Sequence, residues 1–451
     1  MSPAAPSRPL PRTGAATGVL EALAFFRDAD FAAQRFARYG NVFETRLLGQ
    51  ELVFVRGGPA ISDLLAQADA TEGWWPESVR QLLGSRSLAN RTGADHRARR
   101  RVVGQLFSAA ALRRYSPEIV ALVEELAGEL RTASEPVPLV ERMRRFAFSV
   151  IATVVLGLAG DDRDALFADF EIWTRALFSV PIALPGSPFA RALQARARLL
   201  ARLRRVLERA RAAASEGHPL PGGLDLLSGG LDEAGLPLTD DDLVEQLLLL
   251  LFAGYETTAS SLSCLMTAVL RNPGVLAWLR PELAALPWPP PSAQAVQAYD
   301  ASEAPRLTAL VQEVMRLNPP VGGFFRRTTR PLLLDGVSVP AGKVVQVALA
   351  ASNRYRPDGM ADAPTPHSAD DLEQFRPERH LEPGGSGLSL LPFGGGERVC
   401  LGKALAELEI RLMAVGLLRQ LDLRLDPPDQ DLRLQLVPSP SPRGGLRVRV
   451  G

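Results

Sequence analysis

The residue with the clearest chemical potential is Cys400, in the segment FGGGERVCLG at residues 393–402. Its three consecutive glycines permit a tight turn that brings the backbone close to a flat, large partner. A helix is predicted to begin directly after the cysteine, so helix N–H groups and the helix dipole would stabilise a thiolate there. Arg398 adds a fixed cation that suits an anionic group. The pattern favours a reactive or metal-binding thiolate.

Two other interpretations of this segment are open. A lone cysteine is most often a buried structural residue that packs as a small hydrophobe. A phosphate-binding loop is suggested by Gly402-Lys403, but Glu397 occupies the position of its first required glycine. Ala404 also replaces the Ser or Thr that such a loop needs, so a phosphate loop is excluded.

A second candidate is the neighbouring acid and hydroxyl of Glu256 and Thr257, in the stretch AGYETT at residues 253–258. Gly254 and the Thr257 hydroxyl can loosen the hydrogen-bond ladder of a helix and open a groove. An acid next to a hydroxyl in a dry site can relay protons. The alternative is a polar patch on a buried helix.

Two pairs of charged residues have helical spacing. Glu313 and Arg316, three residues apart, can form an ion pair, whose alternative is an ordinary surface salt bridge. His96 and Arg100, four residues apart near a predicted helix start, can reach one anion together. Here the alternative is a solvated basic face.

The elements that must position these residues are mostly helices. The longest helix is predicted to begin at the N-cap Thr239, with three aspartates in its first turn, and to stop at Asn272-Pro273. Residues 281–305 form a proline-rich connector, and a last long helix follows Cys400. Strand patterns are short and scattered, as at residues 42–47. We therefore predict a mainly α fold with small β-sheets.

Composition narrows the class of protein. The net charge of +1 gives no electrostatic attraction to nucleic acid. Only two cysteines, Cys264 and Cys400, are present, which indicates a reducing compartment. The first 13 residues lack the apolar core of a signal peptide, and the apolar run Leu247–Phe252 is far shorter than a membrane span. A cytoplasmic protein without a transmembrane anchor is expected.

The cysteine segment matches, at every position, the cytochrome P450 pattern of Phe, two residues, Gly, any residue, Arg, any residue, Cys, any residue and Gly. The resemblance to this family extends over nearly the whole chain, from Tyr39-Gly40 to the C-terminal strands. It implies the cytochrome P450 fold in a single domain, residues 1–451, with a flexible tail at residues 1–15.

The resemblance implies haem b (iron protoporphyrin IX) as cofactor, with Cys400 as the axial ligand of the iron. A thiolate ligand pushes electron density toward the oxygen side and favours O–O cleavage. His96, Arg100, Arg326 and Arg398 are implied donors to the haem propionates, and Phe393 would cover the sulfur. The full set assigned to the haem site is Cys400, His96, Arg100, Arg326, Arg398, Phe393, Gly394, Gly402, Ala253 and Gly254.

The other constellations also acquire roles by resemblance. Glu256 and Thr257 would be the catalytic acid–alcohol pair that delivers protons during oxygen activation. Glu313 and Arg316 resemble the Glu-x-x-Arg element of the family, whose third member would be Arg379. In the family this buried triad is structural and locks the loop that carries the cysteine.

Two stretches resemble the retinoic-acid-hydroxylating P450s of animals and bacteria: WPESVRQLLG at residues 75–84 and PPVGGFFR at residues 319–326. Phe324 is a departure, because those enzymes carry a third glycine there and a phenyl ring narrows the pocket. The alternative to a pocket wall is plain core, which uses the same residue types. The expected pocket residues are Trp75, Phe178, Pro181, Val321, Gly322 and Phe324.

The leading hypothesis is a haem-thiolate monooxygenase that hydroxylates a hydrophobic small molecule, such as a retinoid, an apocarotenoid, another isoprenoid or a fatty acid. Electrons would come from a separate ferredoxin- or flavodoxin-type protein, and the enzyme would be monomeric. One alternative is a peroxide-driven peroxygenase, against which the Glu256-Thr257 pair argues. Another is a non-catalytic haem or lipid carrier, which has no need of a proton relay.

Overall fold

The structure is a computed structural model, and its chain divides into two compact units. The first unit comprises Met1–Trp74 and Ala309–Cys400, and the second comprises Trp75–Thr308 and Leu401–Gly451. The structure describes residues 7–14, 18–28, 31–47, 49–177, 179, 181–218, 220–227, 229–292, 299, 302–355, 372–382, 390–436 and 438–451.

Helices form most of the described chain, as the sequence predicts. In chain order they are α1 (Gly18–Arg27), α2 (Phe31–Tyr39), α3 (Gly58–Ala66), α4 (Glu77–Leu83), α5 (Gly93–Gly104), α6 (Ala109–Thr132), α7 (Leu139–Val154), α8 (Gly160–Thr174), α9 (Pro188–Ser215), α10 (Asp240–Arg271), α11 (Pro273–Ala285), α12 (Pro305–Leu317), α13 (Leu349–Ser352) and α14 (Lys403–Gln420).

The strands are short, with two to six residues each. They are β1 (Val42–Leu47), β2 (Gln50–Val55), β3 (Thr71–Gly73), β4 (Val137–Pro138), β5 (Gly323–Thr328), β6 (Leu332–Leu334), β7 (Val337–Val339), β8 (Val344–Ala348), β9 (Leu423–Leu425), β10 (Leu434–Gln435), β11 (Ser441–Pro442) and β12 (Arg447–Val450). The predicted mainly α architecture with small sheets is confirmed.

The first unit is built around a five-stranded sheet with the order β1-β2-β8-β5-β3, in which β2 and β8 run parallel. A separate hairpin joins β6 to β7. Apolar side chains of the sheet, the hairpin and α3 form one core. Burial of these β-branched residues stabilises the strands. This sheet carries β5, which the sequence analysis did not predict, and β5 holds Phe324 and Arg326.

The second unit is a helical body around α10, which packs along α7 and α9. Helix α10 begins where the sequence predicts, because the Thr239 hydroxyl accepts a hydrogen bond from the Asp242 N–H at 3.2 Å. It is the one described helix long and apolar enough to cross a membrane, but most of its apolar window is buried inside the protein. Its apolar side chains therefore form the core of this unit.

Within the predicted tail at residues 1–15, the backbone of Arg8 forms a β-bridge with Val337 and that of Arg12 forms one with Glu44. One expectation about an element boundary differs from the structure. The predicted connector from residue 281 overlaps α11, which begins at Pro273 and contains Pro281. Proline at the first helical position needs no N–H partner, so Pro273 ends α10 and starts α11.

Candidate functional site

The cysteine segment folds into consecutive turns in the first unit. Gly394 and Gly396 have φ angles of 71° and 68°, which are accessible to glycine at low cost. The Cys400 N–H donates to the Phe393 carbonyl at 2.9 Å and closes the loop. A Cβ on Gly395 would lie 2.8 Å from the Leu65 side chain, so this glycine lets α3 approach the loop. The glycine run is therefore needed for this loop shape.

Helix α14 begins immediately after the cysteine. Gly402 is its N-cap, and the Gly402 carbonyl accepts from the Ala406 N–H at 2.9 Å. Cys400 is exposed and stands three residues before Lys403, the first helical residue. The N–H groups of the first helical turn and the positive end of the helix dipole make this a place where a thiolate is stabilised.

Two arginines of the first unit line one concave surface beside the cysteine segment. Arg326 and Arg398 share this surface with the backbone of Gly395 and Gly396. Burial, and then the positive charge of Arg398, lowers the pKa of Arg326 to about 10. The Arg398 guanidinium lies over Gly73, where a Cβ would be 2.6 Å away. Two guanidinium groups facing one concavity form a site that suits an anion with carboxylate oxygens.

A buried ion cluster is centred on Glu313 in α12. Arg316 donates to both carboxylate oxygens at 2.7 and 2.8 Å, and Arg379 donates from Nε at 3.0 Å. His380 Nε2 lies 2.9 Å from Oε2. Burial alone raises the pKa of Glu313, but the bonds from Arg316 and His380 outweigh it and bring the pKa to about 2. The predicted triad residues are thus in contact, and the surface-salt-bridge alternative does not hold.

The cluster also fixes the chain that leads toward the cysteine. Arg316 donates to the carbonyls of Leu372 and Asn353 at 2.7 and 3.3 Å. Arg379 donates to the Gln374 carbonyl at 3.0 Å, and the Arg376 N–H donates to Glu313 at 2.9 Å. The sequence analysis missed His380 as a partner, although it directly follows Arg379. The sequence signal that could have identified His380 was its position next to an assigned member of the cluster, together with its ability to donate a hydrogen bond.

Glu256 and Thr257 lie on α10 in the second unit. The Thr257 hydroxyl donates to the Ala253 carbonyl at 2.7 Å, and α10 remains an unbroken helix there. The Glu256 carboxylate accepts from Arg144 of α7 at 3.1 Å, and 15% of its side chain is exposed. The acid is thus held by an arginine that sequence reasoning missed, because α7 is distant in sequence.

Two small residues precede this pair. Ala253 is exposed although Leu251 and Tyr255, two residues to either side, are buried. A Cβ on Gly254 would meet the Ile151 side chain at 2.6 Å, so Gly254 allows α7 to pack closely on α10. Ala253 thus presents open surface in the middle of a core helix, whereas Gly254 serves helix packing.

The predicted anion-binding pair of α5 is also in the second unit. His96 is buried, and Arg100 lies one helical turn further and is partly exposed. Between them, Arg99 pairs with Asp242 of α10 at 3.2 Å and with Glu233 at 2.6 Å. Those acidic partners engage Arg99 and show that the basic stretch at residues 96–100 is not one uniformly solvated face.

The expected pocket residues differ in burial. Trp75 and Phe324 are partly buried, whereas Pro181, Val321 and Gly322 are exposed. Phe324 packs beneath the Arg326 guanidinium, 4.8 Å from its ring centre, and near Gly394. Phe178 lies outside the described residues. Phe324 is therefore placed beside the cysteine loop and the basic concavity.

Glu409 of α14 is a chemically unusual residue that sequence reasoning did not single out. Its side chain is 1% exposed, and its Oε2 atom has no hydrogen-bond partner among the described residues. Burial raises the pKa of Glu409 well above its usual value, because the charged form loses its hydration.

The residues of each unit fit a haem. The first unit offers an exposed thiol before a helix start and a concavity with two guanidinium groups for carboxylates. The second offers the exposed Ala253 beside the Thr257 hydroxyl. Among the described residues no three His, Cys, Asp or Glu side chains cluster as a metal site.

Comparison with known proteins agrees with this chemistry. The family profile "Cytochrome P450" matches residues 11–443. Cytochrome P450 26B1 of Danio rerio is 33% identical, covering 94% of this chain and 83% of its own length. Human cytochrome P450 26C1 is 32% identical, covering 93% and 83%. The structure of a retinoic acid-bound cyanobacterial CYP120A1 superposes with a TM-score of 0.85 at 33% identity, covering 99% of both chains.

The chain belongs to the cytochrome P450 family and has its fold. It is accordingly a haem-dependent monooxygenase, an oxidoreductase that acts on a hydrophobic substrate with electrons from a redox partner. The predicted resemblance to the retinoic-acid-hydroxylating branch is confirmed by these relatives.

Proposed function

We propose that this enzyme hydroxylates a retinoid-like substrate, using haem b held by Cys400. The observation that carries the proposal is the full-length similarity to a P450 whose structure contains retinoic acid. Phe324 adds a ring beside the cysteine loop, so the pocket should be narrower than it would be with glycine at this position. The proposed substrate class includes slender apocarotenoids as well as retinoic acid, because slender molecules fit a narrower pocket.

The residues of the site have separate roles in holding the haem. When bound, haem supplies the iron chemistry that activates dioxygen, and a thiolate ligand promotes O–O cleavage. Cys400 is held at the end of the glycine turns and before α14, where its negative charge is stabilised. Arg326 and Arg398 would bind the propionates in the first unit, and His96 and Arg100 would do so from α5.

Proton delivery is assigned to Glu256 and Thr257. The Glu256 carboxylate is partly exposed and can exchange protons with water, while Arg144 holds it on the α7 side. The Thr257 hydroxyl, next along α10, can pass a proton by rotating away from the Ala253 carbonyl. This pair supplies the protons that dioxygen reduction needs, which a carrier or a peroxide-driven enzyme would not require.

The electron donor is proposed to be an acidic ferredoxin- or flavodoxin-type protein. Arg97, Arg101 and Arg113 are exposed on α5 and at the start of α6. The end of α5 touches the residue after the ligand, because a Cβ on Gly104 would contact Leu401 at 3.5 Å. This basic surface of the second unit would steer an acidic partner. A monomeric, single-domain, cytoplasmic enzyme completes the proposal.

The test combines binding and turnover with the purified holoenzyme. All-trans-retinoic acid and apocarotenoids are expected to shift the spin state and to give hydroxylated products with dioxygen and a ferredoxin system. Cys400→Ser is expected to remove the thiolate-type Soret band of the reduced carbon monoxide complex. Thr257→Ala is expected to divert reducing equivalents from product to peroxide.

Three results would overturn parts of the proposal. A wild-type spectrum without thiolate character would remove the Cys400 assignment. Faster product formation with peroxide alone than with the ferredoxin system would favour a peroxygenase. Tight retinoid binding without any oxygenated product, across several electron donors, would favour a carrier.

A further inference from the structure

Helix α4 lies within the stretch at residues 75–84 that resembles the retinoic-acid-hydroxylating P450s, and its C-terminal end is held by side chains from other helices of the second unit. The Leu82 carbonyl, which has no partner within so short a helix, accepts from Arg196 Nε of α9 at 2.9 Å. It also accepts from the indole N–H of Trp173 in α8 at 3.2 Å. Ser78, near the start of α4, donates to the Leu177 carbonyl at 2.8 Å. Helix α4 is thus tied to α8 and α9.

An ion pair lies directly over the residue that ends α4. Arg196 Nη2 is 2.5 Å from Glu245 Oε1 of α10, and the two side chains are only 18% and 13% exposed. Gly84 has a φ of 96°, and a Cβ there would lie 2.2 Å from Arg196 and 2.3 Å from Glu245. Glycine is therefore required at residue 84 for the ion pair to close over the chain.

The next residues of the same segment are bound by α10. The second oxygen of Glu245 accepts from the Arg86 N–H at 2.7 Å. The Gln246 amide accepts from the Leu88 N–H at 2.8 Å and donates to the Arg86 carbonyl at 2.7 Å. Gln246 is 1% exposed, so these bonds form in a water-poor environment where they are strong. Side chains of α10 thus serve as a hydrogen-bonding edge for residues 86–88.

We propose that Arg196, Glu245 and Gln246 are positioning residues for the substrate, a clamp that fixes α4 and residues 84–88. The inference rests on the proposed function and on the sequence-based expectation that Trp75, which precedes α4, lines the pocket. Because Arg196 belongs to α9 and Glu245 to α10, the clamp holds α4 only while these helices keep their present spacing. A separation of α9 from α10 would release α4, so clamp closure sets the fraction of molecules able to retain substrate.

The same two helices provide a matched control. Arg204 of α9 pairs with Asp241 of α10 one helical turn before Glu245, and both side chains are largely exposed. This pair is expected to contribute little, as exposed ion pairs do. Asp241→Asn therefore removes an α9–α10 ion pair of the same chemistry, away from the end of α4.

The experiment compares Glu245→Gln with Asp241→Asn in the holoenzyme. Glu245→Gln keeps an oxygen for the Arg86 N–H but removes the charge that binds Arg196. We expect it to raise the apparent Kd of all-trans-retinoic acid about tenfold, with kcat at saturation changed less than about twofold. Amide exchange over residues 78–91 is expected to accelerate. Asp241→Asn is expected to leave both measurements at wild-type values.

A second probe separates this proposal from the retinoid assignment. A bulky azole that ligates the iron should also lose affinity in Glu245→Gln, whether or not the wild-type enzyme binds retinoids. Arg196→Met combined with Glu245→Gln should weaken azole binding no more than Arg196→Met alone, because that change already removes the ion pair together with the bond to the Leu82 carbonyl. The carbon monoxide spectrum and the melting temperature check that each variant is folded.

Unchanged azole affinity in Glu245→Gln would overturn the proposal. So would a loss of affinity without faster exchange at residues 78–91, because the ion pair would then act elsewhere than on α4. An equal effect of Asp241→Asn would reduce the clamp to general packing between α9 and α10 and overturn it as well.

Discussion

Glu313 and Glu409 are both buried carboxyl groups on helices, but the protein treats them in opposite ways. Glu313 is surrounded by Arg316, Arg379 and His380, and its pKa falls to about 2. Glu409 has an oxygen without a partner among the described residues, and burial raises its pKa well above normal. At similar burial, the neighbouring side chains decide whether the pKa of the carboxyl group falls or rises.

This difference in surroundings indicates different structural roles for Glu313 and Glu409. An anion surrounded by charged donors can fix backbone segments, and the Glu313 cluster does so at residues 353, 372, 374 and 376. A buried carboxyl group without a charged partner fixes little, and keeping it buried costs free energy as the pH rises above its unfolded-state pKa. Glu256 differs from both, because it has one arginine partner and a side chain that is 15% exposed to solvent.

The largest expected effect is on the charged cluster. Glu313→Ala leaves Arg316 and Arg379 buried without their anion, which typically costs about 3–5 kcal/mol. We expect a large drop in melting temperature and poor haem retention, measured by calorimetry and by the Soret absorbance. Asp69→Ala, which breaks the exposed Arg330–Asp69 pair, should cost about 1 kcal/mol or less. Similar losses in both variants would contradict the structural role of the cluster.

The next effect concerns the partly exposed acid. Glu256→Gln replaces the carboxyl group with an amide of similar size that cannot act as an acid or base. Loss of general acid–base catalysis typically slows a reaction about 100-fold or more. We expect product formation to fall while the spin-state affinity for substrate stays near wild type. Equal product formation in the variant would assign proton delivery to another group.

The contribution of Glu313 to the stability of the fold should change with pH only in the acidic range. The folded-state pKa of about 2 lies below the ordinary 4.5, so the carboxylate contributes stability above pH 4.5. This contribution is lost as the pH falls from 4.5 toward 2. We therefore expect wild-type protein to lose stability in this window more steeply than Glu313→Gln, as monitored by circular dichroism. Parallel pH profiles would refute the depressed pKa.

The smallest expected effect is on Glu409. Its raised pKa stabilises the fold fully below pH 4.5, and this contribution declines as the pH rises toward the folded-state pKa. Glu409→Gln keeps the shape without titrating, so the variant should match wild type at pH 5 and melt slightly higher at pH 8. A variant that is less stable at pH 8 would show that the carboxylate is charged and paired.

Local patterns predicted much of this molecule, and long-range contacts did not follow from them. The Thr239 cap and the end of α10 near Asn272 were predicted, because capping and proline act on adjacent residues. The cysteine turns were predicted from glycine alone. Helix α11 was missed because Pro273 was interpreted only as the end of α10 and Pro281 as the start of a connector. Arg144 beside Glu256 was missed because no periodicity links α7 to α10.

The segment at residues 8–13 has a consequence for solubility. Strand β1 is the outer strand of the five-stranded sheet, and Thr13 and Pro11 hydrogen-bond with its Glu44 on the open side. Arg8 covers β7 in the same way, through Gly336 and Ser338. Exposed strand edges recruit strands from other molecules. Removal of the first 14 residues should therefore leave the fold intact but make the enzyme self-associate as its concentration rises.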